Sequence, residues 1–268
     1  MSSVASVSSN VRSLLLFIFF LSGFAALVYQ VAWQRLLTVY YGVGSISVTL
    51  IVSVYMFGLG LGALLGGRIA EQSHNRIRLY FIIELLIGCF GAISVPFLNF
   101  LGQYTAGSSH IVSLAYMFLF LSIPTILMGI TLPLLTKIFN RIINNFLETV
   151  SFLYFINTIG AALGSVFASY IVISFFGLDN AVYVAVVINF ILAALIFSVK
   201  SSPVQKAKVS GSSGANVGNN EDVFGNMAYF FVVITGFLAI GYEIVWFRVI
   251  GIIVKSSPYA FSSVLSVY

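Results

Sequence analysis

Residues 22–55 read SGFAALVYQVAWQRLLTVYYGVGSISVTLIVSVY, and residues 235–268 read TGFLAIGYEIVWFRVIGIIVKSSPYAFSSVLSVY. The two stretches align without a gap. Gly23, Phe24, Ala26, Tyr29, Trp33, Arg35, Ser53, Val54 and Tyr55 return as Gly236, Phe237, Ala239, Tyr242, Trp246, Arg248, Ser266, Val267 and Tyr268. Shared leucines and valines carry little weight in an apolar chain. A glycine, tyrosine, tryptophan and arginine kept at fixed spacing carry more. Such self-similarity marks a membrane protein built from two related halves, as many transporters are. The second copy ends inside its second apolar run, so the reading expects the start of a second half that is cut short.

The surrounding composition fits that reading. Charged residues make up 7% of the chain and hydrophobic ones 60%, and the mean hydropathy is +1.09. A soluble domain carries about 25% charged residues. This chain has too few to cover a water-facing surface, and lipid is the natural solvent for the surplus. The net charge of +5 calls for no nucleic-acid partner. The lone Cys89 offers neither a disulfide framework nor a thiolate metal site; it reads as a small buried apolar side chain.

A helix needs about 20 apolar residues to cross the hydrocarbon core. On that rule spans fall at 13–34, 45–68, 79–101, 111–138, 150–174, 179–199 and 227–250, with an eighth beginning near Pro258. The runs are long and lack period-2 alternation, so helices are expected rather than barrel strands. The fold class is all-α: a polytopic bundle with one six-helix half over residues 1–199, a polar Gly/Ser/Asn-rich linker over 200–226 and the start of a second half over 227–268. The first span lacks a clean cleavage pattern and belongs to the repeat, so it reads as part of the mature fold.

Basic residues set the orientation. Arg12, Arg68, Arg76, Arg78, Lys137, Arg141, Lys200, Lys206 and Lys208 fall on one side, and Arg35, Arg248 and Lys255 on the other. The positive-inside rule then puts the N-terminus and the linker in the cytoplasm.

Several groups could carry chemistry. Gly58, Gly62 and Gly66 recur every four residues on span two, and Gly160 and Gly164 do so on span five. Such stripes let a second helix approach closely, as static packing or as a sliding contact. Glu71 shares a loop with Arg68, Arg76 and Arg78. Pro124, Gly129 and Pro133 are expected to interrupt span four. Asn157, Thr158 and Asn189 place polar groups in spans five and six.

Two acids lie within spans, Glu84 and Glu243. An ionised side chain in lipid costs several kcal/mol, so each should face the bundle or a wet cavity. Glu84 could pair with an arginine at the cytoplasmic end or recognise charge. Glu243 has Gln30 as its counterpart, which hydrogen-bonds but does not titrate. Tyr29 and Trp33, like Tyr242 and Trp246, stand one turn apart beside that polar group. Their faces could hold a cation. Arg35 and Arg248 follow five residues after Gln30 and Glu243, about 140° around the helix. They should find partners on other helices or snorkel to the interface. The constellation reads either as interfacial anchoring or as the lining of a polar site between halves. No catalytic motif, metal-ligand cluster or cofactor-binding loop is present, and His74 and His110 both fall in expected loops.

The stretches SGFAALVYQVAWQRLL, FGLGLGALLGGRIAE, MGITLPLLTKIF and YFINTIGAALGSVFASY, in that order, resemble the membrane region of the spermidine synthase-like integral membrane proteins. That family joins a major facilitator-like domain to a spermidine synthase domain. Gln30 departs from the glutamate of the family's first Tyr-Glu-x-x-Trp-x-Arg pattern, whereas Glu243 keeps it. The resemblance implies a multi-pass protein of the cell inner membrane. It further implies a soluble aminopropyltransferase-like domain C-terminal to the helices; none of that domain's motifs occurs here. The function expected from the resemblance and the residues together is transport-like handling of a small cationic metabolite such as a polyamine. The alternative is a non-transporting membrane anchor for the enzyme domain.

Overall fold

The structure, a computed structural model, describes residues 9–41, 45–104, 110–143, 145–199, 221–253 and 260–267. Every described element is helical: α1 (Ser9–Tyr41), α2 (Ser45–Gln72), α3 (Arg76–Tyr104), α4 (His110–Ile143), α5 (Phe146–Phe176), α6 (Leu178–Ser198), α7 (Glu221–Ile253) and α8 (Ala260–Val267). Among the described residues seven of these, α1 to α7, are long and apolar enough to cross a bilayer. The chain is therefore an all-α, multi-pass membrane bundle. Both copies of the repeat consist of a long helix followed by a second one. The first long helix ends at Tyr41 and its successor begins at Ser45; the second ends at Ile253 and its successor begins at Ala260. Most of the expected linker, residues 200–220, and Lys255 lie outside the described residues.

Packing follows the small residues, because lipid and protein interior are equally apolar and burial alone cannot choose a partner. Gly58, Gly62 and Gly66 line the face of α2 that meets α4. A Cβ at Gly62 would overlap the Ile126 carbonyl and lie 2.8 Å from the Gly129 Cα, and one at Gly66 would lie 2.8 Å from the Ile130 Cα. On α5, a Cβ at Gly160 or Gly164 would strike the carbonyl of Phe20 or Phe24 on α1. Reciprocally, Gly23 on α1 faces the Asn157 carbonyl and side chain. Both pairs run parallel, since contacts advance in the same direction on each helix. Both join helices that are not neighbours in sequence.

The dominant contacts obey a simple exchange. Swapping α1, α2 and α3 for α4, α5 and α6 turns the α2–α4 contact into α5–α1, maps α3–α6 onto itself and turns α1–α6 into α4–α3; all of these are present. Helices α1 and α4 run in opposite directions, so the pattern is that of an inverted repeat within the six-helix unit. Large apolar side chains such as Leu64, Phe100, Leu119 and Phe197 point outward from it, as a lipid-facing surface requires.

Four expectations are corrected. Pro124 and Pro133 do not interrupt the fourth span, because α4 continues through both, as α3 does through Pro96. Beside Pro124, Thr125 Oγ1 donates to the Leu121 carbonyl at 2.9 Å. Glu71 and Arg68 lie in the last turns of α2 and Arg76 and Arg78 in the first turn of α3 rather than in one loop, and Glu71 pairs with Lys137 of α4 at 2.9 Å, which ties the C-terminal ends of α2 and α4 together. Cys89 is exposed on the outer face of α3 rather than buried. His110 opens α4 instead of lying in a loop.

One irregularity had no sequence signal. Residues Ala168–Ile173 of α5 form a widened, π-helical turn, and Ser174 Oγ donates to the Ser169 carbonyl at 2.9 Å. Helix α8 docks beside this turn. Ser165 Oγ donates to the Ser262 carbonyl at 3.3 Å, Ser169 and Ser262 share a hydroxyl contact, and the Tyr170 and Ser263 hydroxyls lie 3.1 Å apart.

Candidate functional site

Two buried acids organise the polar interior, and they sit in different surroundings. Glu84 lies on α3 where α1 and α6 meet it, and it is fully buried. Its Oε1 accepts from Ser22 Oγ of α1 at 2.7 Å, and its Oε2 accepts from Asn189 Nδ2 of α6 at 2.7 Å. One carboxylate thus clasps three helices. No arginine or lysine hydrogen-bonds to it among the described residues, so the expected pairing with a cytoplasmic arginine is replaced by two neutral donors. Tyr80, one turn earlier on α3, brings its hydroxyl beside Glu84 and Ser22 without reaching hydrogen-bond geometry with either.

Glu243 lies on α7. Residues Ile240, Ile244 and Phe247 of that helix pack against the core. With Glu243 they form an i, i+3, i+4, i+7 stripe, the spacing of one helix face. Helical period therefore carries Glu243 into the bundle, and it is 2% exposed. Among the described residues, neither carboxylate oxygen has a hydrogen-bond partner. Its counterpart Gln30 is buried as well.

The aromatic pairs of the two copies differ in environment. Tyr29 and Trp33 stack on one another, with ring centroids 4.8 Å apart, and both are fully buried. Trp33 Nε1 donates to Ser94 Oγ at 3.0 Å, and Ser94 Oγ passes a bond to the Gly91 carbonyl at 2.7 Å. Phe90 presents a ring edge to the same indole and Tyr55 a tilted ring. The Tyr29 hydroxyl lies against Gly91, where a Cβ would collide with it. Tyr242 and Trp246 instead stand on the outer face of α7, 61% and 53% exposed. The reason is packing: α1 is enclosed by α2, α3, α5 and α6, whereas α7 lies at the edge of the bundle against α2 and α8. Arg35 is half-buried and Arg248 exposed.

The structure thus brings Glu84 together with Ser22, Tyr80 and Asn189. It sets Tyr242 and Trp246 on the helix that carries Glu243. It does not bring Tyr29 and Trp33 to an open surface. Sequence reading missed Ser22 and Tyr80. Ser22 begins the repeat and has a hydroxyl counterpart in Thr235, and Tyr80 stands four residues before Glu84 on one helix face; both signals were present. Asn99, Gly177, Asp179 and Asn180 line a separate shallow cleft at the junction of α1, α3 and α6, and none of the expected site residues reaches it. Comparison of the chain with protein-family models, curated proteins and solved structures finds no match.

Proposed function

We propose that this chain is the membrane domain of a transporter-like protein, similar to the spermidine synthase-like membrane proteins, that handles a small cationic metabolite such as a polyamine at Glu243. The observation that carries the reading is the Glu243 carboxylate, buried yet without a partner on either oxygen among the described residues. A buried, unpaired charge is costly. A primary ammonium offers three donors and one positive charge, which would answer both oxygens at once. Tyr242 and Trp246 stand exposed on the adjoining outer face of the same helix, where they would meet the part of such a ligand that extends out from Glu243. The twofold repeat supports rocking of two halves about a shared site. The distribution of Lys and Arg supports a cytoplasmic N-terminus in an inner membrane.

Reconstitution of the chain into liposomes and measurement of labelled spermidine binding and uptake tests the reading. Glu243→Gln is expected to weaken binding roughly tenfold to a hundredfold, the worth of one hydrogen bond to a charged group. Equal binding by the native chain and the variant would remove Glu243 from the site. No uptake above that of empty liposomes, in either protein, would favour the anchor reading.

A further inference from the structure

The cluster around Glu84 poses a different problem from Glu243, because it lies deep among three helices with Ser22 at its half-buried edge. Glu84 and Tyr80 are fully buried and Asn189 is 2% exposed. Burial this deep suits a ligand the size of an atom better than a chain of methylenes. Three facts constrain it. Glu84 has neutral donors only, Ser22 and Asn189, among the described residues. By turning its amide nitrogen to the carboxylate, Asn189 leaves its Oδ1 buried and without a donor. The Tyr80 hydroxyl is buried beside the same carboxylate, also without a partner. Buried polar atoms are satisfied in the great majority of cases, so two orphans next to one uncompensated acid call for a common explanation.

We propose that Glu84, Asn189, Tyr80 and Ser22 form a binding site for one dehydrated monovalent alkali cation. The donor set is oxygen only (carboxylate, amide carbonyl, phenol, serine hydroxyl), the preference of hard cations. A single positive charge balances the single carboxylate; a divalent ion would leave an excess in the membrane interior. A proton would neutralise Glu84 but, with the Asn189 amide nitrogen facing the carboxylate as it does here, give Asn189 Oδ1 no donor. A water would serve Asn189 and Tyr80 but leave the charge. The site joins α1, α3 and α6, so occupancy would hold the six-helix unit together. It does not depend on the polyamine reading of Glu243.

The test is thermal unfolding of the purified full chain in detergent, with NaCl replaced stepwise by choline chloride at constant ionic strength and pH. Binding to the folded state raises the midpoint with ligand concentration. The expected result is a saturable rise with Na⁺ that Glu84→Gln abolishes and Glu243→Gln leaves intact. Should Glu84→Gln not fold, Tyr80→Phe removes one ligand oxygen and little else, and is expected to demand a several-fold higher Na⁺ concentration for half the effect. The proposal is overturned by equal midpoints in Na⁺ and choline, by a midpoint that follows pH but ignores Na⁺, by a Na⁺ response that survives Glu84→Gln, or by an unchanged half-effect concentration in Tyr80→Phe.

Discussion

Gly62→Leu is expected to leave little folded, monodisperse chain after detergent extraction, while Gly60→Leu, two residues away, is expected to behave as the native protein. The two glycines share a helix and a bilayer depth, so composition and insertion do not separate them. What separates them is the neighbour. A Cβ at Gly62 overlaps the Ile126 carbonyl and comes within 2.8 Å of the Gly129 Cα, whereas one at Gly60 meets nothing within 4 Å. Ordinary overpacking costs about 1–3 kcal/mol because side chains can shift. Here the obstacle is backbone, and relief requires α2 and α4 to move apart along the whole Gly58–Gly66 stripe. Close approach is what stabilises helices in lipid, so the loss should exceed that range. At Gly60 the only local effect is helix propensity, which favours leucine by up to about 1 kcal/mol. Size-exclusion profiles and unfolding midpoints of the two variants decide the matter. Equal stability would mean that α2 and α4 are not joined through this face.

The glycine stripes were legible because small residues every fourth position have few other uses in a membrane helix. Their partners were not, since nothing in Gly58-x-x-x-Gly62 says whether α4 or α5 will meet it. The partners are fixed by the three-for-three exchange of the fold, a property of the whole chain. Spans were legible for the same reason that inside and outside were not. A bilayer makes both faces of a helix apolar and erases the contrast that marks a core in water. Cys89 shows the result: it sits in an apolar run and yet faces outward. The prolines of α4 misled because helix-breaking is a tendency that packing against neighbouring helices can offset.

The site was half-legible. Both acids stood out, because a carboxylate in a span is rare and must face inward. The donors to Glu84 come from 62 and 105 residues away, distances over which spacing carries no information. The repeat predicted like roles for Tyr29-x-x-x-Trp33 and Tyr242-x-x-x-Trp246. It could not show that one helix is enclosed and the other lies at the edge of the bundle, because sequence similarity fixes a helix and not its neighbours.

That difference makes the two tryptophans a controlled pair. Trp33→Ala is expected to destabilise the bundle by about 3–5 kcal/mol, the usual loss for deleting a fully buried large aromatic. The indole is stacked on Tyr29, flanked by Tyr55 and Phe90, and bonded to Ser94. Its removal opens a cavity among residues tied to three helices. Trp246→Ala deletes the same side chain from the same motif where it is 53% exposed. There the expected change in stability is within about 0.5 kcal/mol, as for surface substitutions generally. Binding should rank the two the other way. If Trp246 walls a cationic site beside Glu243, its loss weakens spermidine binding by about 0.5–2 kcal/mol, the range of a cation–π contact, without lowering the unfolding midpoint. Measuring midpoint and affinity on both variants separates a tryptophan that holds the fold from one that faces a ligand. A Trp246→Ala chain with native affinity would leave Glu243 without its aromatic wall, and a Trp33→Ala chain with native stability would contradict the enclosed packing of α1.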